Sequence, residues 1–557
     1  MPETLSQGPE MAVDRAPALS LSRRWGYVAA AIVLAATALH ARGFHARLPA
    51  LDESSYLSHG AMLVERGEVH LFSDNPLPTL VNGLLYLPFA PNAIRLETVS
   101  TIRQWLTYGC MLAAVGWATN RWCGSAGAAC AVAIVAASRA SLVVAANSSD
   151  ALYGTSIVLC CALLLDVVGP DGSLSAAPRK YLLLGLCLSA AAMARNDGLV
   201  AGAMICALFA FLFWRSALQW KSAPRLLGAM VAGFVLPILL WVILSGLQSK
   251  IWSLGSGDRT YLAFRQGYYK LYFDRFEPTA GMPLFENVFG SEESNHRSVM
   301  LAIAHHPRAF LLRISRVPLE LLRSTTDAFG TIAAVGVLAG LGVGLRELVR
   351  QRQFSRLACM AALLSPMAVY FVTFFRPGYL AMIFPLLIVA SVSGICLCWS
   401  GQTADGRTGQ SKWPAVVLAF LFASNAFHFV RSARAKELDE PEDVPYRNWV
   451  LSLARAVPHG ETVLAVDPSQ LIYAGLGYVP DPRRILDRSD QPRALAADMD
   501  ADHIEWVIAD ANLSEVAPRA AASVAQGGPF QAVIRDPKYH ACLYRLASSS
   551  SPHQGAP

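Results

Sequence analysis

Eleven stretches of this chain run for fourteen to twenty-two residues with almost no charge, and that pattern limits the fold more than any other feature. They cover 25–41, 102–120, 125–146, 151–168, 181–194, 199–214, 226–247, 327–345, 357–374, 379–399 and 413–430. A bilayer core about 30 Å thick takes about 20 apolar residues of helix. Inside it, backbone polar groups are satisfied only in helices or closed barrels. Runs of about this length read as membrane-spanning helices. The expected fold class is therefore an α-helical polytopic membrane protein of about eleven transmembrane helices. The run 181–194 is short, and 125–146 is interrupted by Ser138-Arg139.

Charge follows the same plan. Only 15% of the 557 residues are charged, against 54% hydrophobic, whereas soluble domains carry about 25% charged residues. The net charge of +6 is small for this length and gives no footprint for nucleic acid. Basic residues gather in alternate short connections: Arg121, then Arg179 and Lys180, then Arg215, Lys221 and Arg225, then Arg346, Arg350, Arg352 and Arg356, and finally Arg407 and Lys412. Lys and Arg accumulate on the cytoplasmic side, so the N-terminus is expected inside and the chain's C-terminal part outside the plasma membrane. Residues 1–24 form a cytoplasmic tail. Arg42 and His45 follow the first run where a signal peptide would carry small residues, so an uncleaved helix is expected. Ten of the eleven cysteines lie in or beside apolar runs, as small packing residues do, and no disulfide is expected.

Two long connections, 42–101 and 248–326, fall on the outer side and interrupt a membrane module spanning 25–430. The second is rich in aromatic and cationic residues, including Tyr261, Phe264, Arg265, Tyr268, Tyr269 and Lys270. Long connections are usually functional or disordered, and this aromatic content argues against disorder. Beyond 430 the pattern changes. Segments 461–467, 503–510, 531–534 and 541–546 read as strands, with helix between them as at 491–499. A small extracytoplasmic α/β domain over 431–547 is expected, then a Ser/Pro/Gly-rich disordered tail, 548–557.

The residues with chemical promise lie on the outer side. Asp52-Glu53 follows the first helix and precedes a segment able to lie on the membrane surface. A carboxylate there can act as general base; it can equally cap that surface helix. Asp74 precedes Asn75-Pro76, where a turn role also fits. Asp150 begins the fourth span, as a cap or as an orienting acid. Arg195 and Arg376 stand at outer helix ends, while Arg103 and Lys270 rank below them. For each of these cations the alternative is an interfacial anchor snorkelling to headgroups. These charges cluster at one face, with Arg139, which lies within an apolar run, as the exception. His59 and His70 have no spaced partner that makes a metal site.

In order and placement these elements resemble the membrane glycosyltransferases of the GT-C fold, of the protein O-mannosyltransferase and aminoarabinose-transferase type. The stretch Asp52-Glu53-Ser54-Ser55-Tyr56, with Met62-Leu63 and Gly67-Glu68 after it, resembles that family's first outer loop. Ser149-Asp150-Ala151-Leu152 looks like its Asp-Ala-Leu. Ala194-Arg195-Asn196-Asp197-Gly198 stands where it often has a Thr-Lys-Gly turn. Phe375-Arg376-Pro377-Gly378-Tyr379-Leu380, with Phe384-Pro385 after it, looks like its Arg-Tyr-x-x-Pro element. The family's His-Pro-Pro or Lys-Pro-Pro is missing; Asn75-Pro76-Leu77-Pro78 stands there instead.

The resemblance implies transfer of a sugar from a polyprenyl phosphate-type carrier to an acceptor hydroxyl, with inversion at the anomeric carbon. The acceptor is a glycan, lipid or protein. On that reading Asp52 is the base, and Glu53 positions the acceptor or a divalent cation. Arg376, Arg195, Tyr379, Arg103 and Lys270 face the donor phosphate. Asp150, Asp74, Tyr56, His59, Tyr268 and Tyr269 contact sugar or acceptor. Arginine suits phosphate because its fork donates two hydrogen bonds. Two other classes compete: a multi-pass transporter, which would carry polar residues at mid-membrane on broken, repeated helices, and a non-catalytic envelope sensor or assembly protein.

Overall fold

The computed structural model describes residues 16–43, 52–67, 69, 75–90, 96–169, 172–215, 222–249, 298–372, 377–403, 413–438, 443–458, 460–466, 470–471, 474–479, 482–486, 491–537 and 540–547, with scattered positions between 252 and 296. Helices dominate. The first ten are α1 (Ala16–Gly43), α2 (Asp52–Arg66), α3 (Pro76–Tyr86), α4 (Leu96–Cys123), α5 (Ser125–Ala136), α6 (Arg139–Ala146), α7 (Ser148–Val167), α8 (Pro178–Ala194), α9 (Asp197–Arg215) and α10 (Ala223–Ser249). Then come α11 (Val299–His305), α12 (Pro307–Phe329), α13 (Thr331–Arg350), α14 (Phe354–Leu364), α15 (Pro366–Val372), α16 (Pro377–Thr403), α17 (Trp413–Leu438) and α18 (Asp443–Ala456).

Among the described residues, five helices are long and apolar enough to cross a membrane, and the bent pair α5–α6 makes a sixth. Among the described residues each of the eleven apolar runs is largely helical, though not each as one straight rod. The run 125–146 bends by 73° between α5 and α6. Ser138 leaves helical geometry there and caps α6, its side chain accepting from the Ala140 N–H at 3.2 Å. The Val135 carbonyl at the break accepts from both the Ser138 N–H at 3.1 Å and the Ser141 hydroxyl at 2.7 Å. The run 357–374 is split at Ser365-Pro366, where proline has no N–H for the preceding turn.

The expected loop 248–326 is corrected in its last third, where α11 and α12 occupy 299–329. Hydropathy misses α12 because it has three sectors. Val317, Ala328 and Phe329 are buried against the bundle, Leu311, Leu312, Leu319 and Leu322 are exposed, and Arg308, Arg316 and Arg323 divide the sequence between them. Such averaging hides an amphipathic helix from a search for apolar runs.

Helices α7 and α16 form the centre, buried over 72% and 78% of their most apolar stretches, whereas α9 and α10 are buried over 33% and 22%. Close approach depends on glycine: a Cβ on Gly154 of α7 would lie 2.5 Å from the Met382 carbonyl oxygen of α16. One large core of Leu, Ile, Val, Ala and Phe side chains joins these helices to α4, α5, α8, α9 and α13.

Past α18 lies a five-stranded sheet of β1 (Thr462–Leu464), β2 (Gly477–Tyr478), β3 (Trp506–Ala509), β4 (Phe530–Asp536) and β5 (Ala541–Leu546). Its order is β2-β1-β3-β5-β4, parallel among the first three and antiparallel from β3 onward. Side chains alternate between faces with a period of two. Val463, Trp506, Ile508 and Leu543 therefore share one face, and Leu464, Val507 and Tyr544 the other. Four of the strands fall on segments read as strands in the sequence. The two-residue β2 gave no such signal. The first face does not close on itself. Its core is continuous with Leu57 and Ala61 of α2, Tyr86 of α3, Leu96 and Val99 of α4, and Trp449, Val450 and Leu453 of α18.

Candidate functional site

Helix α2 opens with Asp52 and Glu53 in its first turn, the end at which a helix dipole favours negative charge. Their side chains lie outside the described residues. The remainder of the helix is firmly held. Tyr56 is buried and its hydroxyl accepts from Asn75 Nδ2 at 3.2 Å, while His59 is buried on the same helix. Gly60 meets Gly83 of α3 backbone to backbone, an approach that only glycine allows. Burial, and then the Glu65 carboxylate that accepts its hydrogen bond, push the Tyr86 phenol above its ordinary range.

After α2 the chain turns at Gly67, whose φ of +67° suits glycine. Gln248 at the end of α10 clasps this turn: its Nε2 donates to the Gly67 carbonyl at 2.9 Å, and its Oε1 accepts from the Val69 N–H at 2.8 Å. Val69 packs with Leu63 of α2, Leu77 and Leu80 of α3, Trp241 of α10 and Met193 of α8. Met193 is two residues before Arg195. The first connection and the Arg195 turn thus belong to one end of the bundle.

That turn carries a network of charge. Helix α8 stops at Arg195 and α9 starts at Asp197, with the Gly198 N–H donating to the Arg195 carbonyl at 2.9 Å. A side chain at 198 would collide with the backbone at Ala191, so glycine permits the tight reversal. Arg195 Nη1 lies 2.6 Å from Asp150 Oδ1 and its Nε 3.1 Å from Asp197 Oδ2. The Tyr370 hydroxyl of α15 donates to Asp197 Oδ2. Tyr370 stacks on Tyr379 of α16, with ring centroids 4.5 Å apart, and the Arg195 guanidinium sits 5.0 Å from the Tyr379 centroid. None of the three charged side chains is more than 19% exposed. One guanidinium between two carboxylates leaves the trio net negative. Such an arrangement can fix the orientation of Asp150 and Tyr379 and supply further N–H donors from Arg195.

Asp150 stands in the first turn of α7, which Asn147 caps by accepting from the Ser149 N–H at 3.1 Å. Arg103 is fully buried on α4 and donates to the Ala145 carbonyl at 3.3 Å, just before that cap. The structure thus brings Asp150, Arg195 and Tyr379 into one network. Arg103 is near its rim, and Tyr56 and His59 lie in the adjoining first connection. Asp74, His70, Tyr268, Tyr269, Lys270 and Arg376 lie outside the described residues, although Arg376 immediately precedes Pro377, where α16 begins. Sequence reading missed Asp197, whose signal was its place two residues from Arg195 in the same turn. It also missed Tyr370, which sits in an apolar run and carries no local signal. Among the described residues, no three His, Cys, Asp or Glu side chains are grouped to hold a metal ion.

No protein-family model matches the sequence, and no curated protein does. Comparison of folds gives a different result. The archaeal oligosaccharyltransferase AglB from Archaeoglobus fulgidus, solved with an inhibitory peptide and a dolichol-phosphate, superimposes with a TM-score of 0.50 at 10% identity, over 95% of this chain and 75% of that one. The fold is of the GT-C type. ArnT from Cupriavidus metallidurans bound to undecaprenyl phosphate aligns over 94% of this chain and 98% of its own, at 14% identity and a TM-score of 0.44. At 10% identity the likeness to AglB concerns architecture alone, and the chain is a GT-C-like helical membrane protein.

Proposed function

We propose that this protein is a membrane glycosyltransferase. It moves a sugar from a polyprenyl phosphate-type lipid to an acceptor hydroxyl at the outer face of the plasma membrane, inverting the anomeric carbon. One observation carries this reading. The helix that begins with Asp52-Glu53 and the Asp150–Arg195–Asp197–Tyr370–Tyr379 network are tied to the same end of a GT-C bundle through the Met193 core. In the proposed arrangement eleven spans place that end outside, together with a C-terminal α/β domain over 431–547.

Asp52 takes the acceptor's proton as its oxygen attacks, and Glu53 holds the acceptor or a divalent cation. Negative charge builds on the departing phosphate oxygen, where preorganised donors stabilise it. Arg376 supplies a cation to the leaving phosphate. Arg195, already held by two carboxylates, offers its remaining N–H groups from a fixed position, and Tyr379 lies beneath it. Asp150 orients the acceptor side, while Arg103 and Lys270 contribute background positive charge. Tyr56, His59, Asp74, Tyr268 and Tyr269 line the sugar and acceptor path.

The test is transfer of radiolabelled sugar from purified polyprenyl phosphate-sugar in proteoliposomes. Asp52→Asn is expected to lower the rate by about 10²–10⁴-fold, the usual contribution of a general base. Parental rates in Asp52→Asn would remove the assigned base, and an unconsumed donor with the parent protein would remove the enzyme reading. Transport is the second reading, favoured by the broken α5–α6 span with Arg139 at its break. Movement of intact labelled lipid across the bilayer without sugar release would establish it.

A further inference from the structure

A second cationic cluster lies away from the transfer network. Arg139 is the first residue of α6, immediately after the 73° break. Helix α6 packs against α12, α16 and α17. On α17, the charges of both Arg139 and Arg431 bear on the His428 ring. That ring lies against Gly330: a Cβ there would fall 2.9 Å from its Cγ and Nδ1. Gly330 is the N-cap of α13, so the ring faces the amino end of a twenty-residue helix. This end has no side-chain cap and no acidic residue in its first turn.

Two guanidinium groups and the free N–H groups of a helix end gather at this junction. The first N–H groups of a helix lack intrahelical partners and carry the positive end of its dipole. The His428 Nε2 is buried and has no hydrogen-bond partner. Among the described residues, neither Arg139 nor Arg431 pairs with a carboxylate, and Asp327, three residues before Gly330, is exposed and bonds to neither. Cations beside apolar helices are costly unless an anion or water meets them. Helix N-termini and arginine forks both select phosphate.

We propose that Arg139, His428, Arg431 and the amino end of α13 bind the phosphate head of a membrane lipid. Its chains lie along the apolar surface beside α17, where Phe420 and Phe427 are exposed. The site is distinct from the transfer network, since Arg139 is separated from Asn147 by the whole of α6, about 12 Å of helical rise. It does not depend on the transfer reading. Two lipids offer the required chemistry: a polyprenyl phosphate and an anionic phospholipid.

The experiment titrates delipidated full-length protein in detergent with undecaprenyl phosphate and, separately, with phosphatidylglycerol, counting retained lipids by native mass spectrometry. The parent is expected to retain at least one equivalent that Arg139→Gln/Arg431→Gln loses and that Arg139→Lys/Arg431→Lys keeps. Because Arg431 is exposed, Arg431→Gln alone tests the site with little risk to folding. It should weaken that equivalent about tenfold, or ~1.4 kcal/mol. Loss confined to undecaprenyl phosphate assigns a polyprenyl-phosphate site, and loss confined to phosphatidylglycerol assigns a phospholipid site. If the Gln variants retain as many equivalents of both lipids as the parent, or the parent retains none, the proposal is overturned.

Discussion

Alanine at position 60 is expected to damage activity far more than stability. A Cβ there would stand 2.6 Å from the Gly83 nitrogen, 3.0 Å from the Thr79 oxygen and 3.1 Å from the Asn82 carbonyl carbon. All three are backbone atoms of α3, so no side chain can rotate away to make room. Restoring the shortest contact from 2.6 Å to an ordinary 3.4 Å separates α2 from α3 by about 0.8 Å. Overpacking of this kind costs about 1–3 kcal/mol, which a large bundle survives. The consequence for chemistry is greater, because Asp52 lies two turns earlier on the same rigid helix. A misplacement near 1 Å can cost about 10²-fold in rate. The assay pairs sugar transfer in proteoliposomes with thermal unfolding of the same preparations. Gly228→Ala serves as control, since its Cβ would meet nothing within 4 Å. If folded Gly60→Ala transfers sugar at the parental rate, the packing of α2 on α3 does not position the carboxylates and the reasoning fails.

Substitutions at two further positions probe the buried polar groups. Arg195→Gln leaves Asp150 and Asp197 facing each other without their cation and should destabilise the protein by about 3–5 kcal/mol; Arg195→Lys, which lacks the fork needed to reach both, should recover only part of this, as read by thermal melting. Trp449→Phe removes the 2.7 Å bond from the indole Nε1 to Gln470 Oε1, and Gln470 in turn donates to Asp510 at 3.1 Å. Leaving that buried amide short of a donor should cost about 1–3 kcal/mol, and a melting temperature equal to the parent's would mean that the chain of bonds holds nothing together.

How much of the molecule was legible in its sequence depends on the range of the interaction. Apolar runs located helices such as α4, α7 and α10, because desolvation acts residue by residue along a span. Strand β5 was readable for the same local reason. The break at Ser365-Pro366 was written in the sequence, yet an apolar run conceals a missing N–H. Helix α12 escaped because Leu311, Leu312, Leu319 and Leu322 alternate with arginines, which cancels the signal on averaging. At the site, Asp150 and Arg195 were found separately as polar residues at helix ends. Their 2.6 Å pairing was not, because it joins two turns 45 residues apart. Tyr370 is the clearest limit: a tyrosine among Met367, Val369 and Phe371 becomes a carboxylate partner only through folding.

The core shared by Leu57, Ala61 and Trp449 also sets a timetable for biosynthesis. The segment bearing Asp52 leaves the ribosome early, whereas the indole and strands that cover its apolar side are made nearly last. Until then α2 presents bare leucine and alanine to chaperones and to neighbouring chains, as unfinished intermediates generally do. A premature stop after α17 would therefore spare most of the bundle but strip the cover from α2. Such a product would be inactive through a defect located almost four hundred residues downstream of the residues it disables.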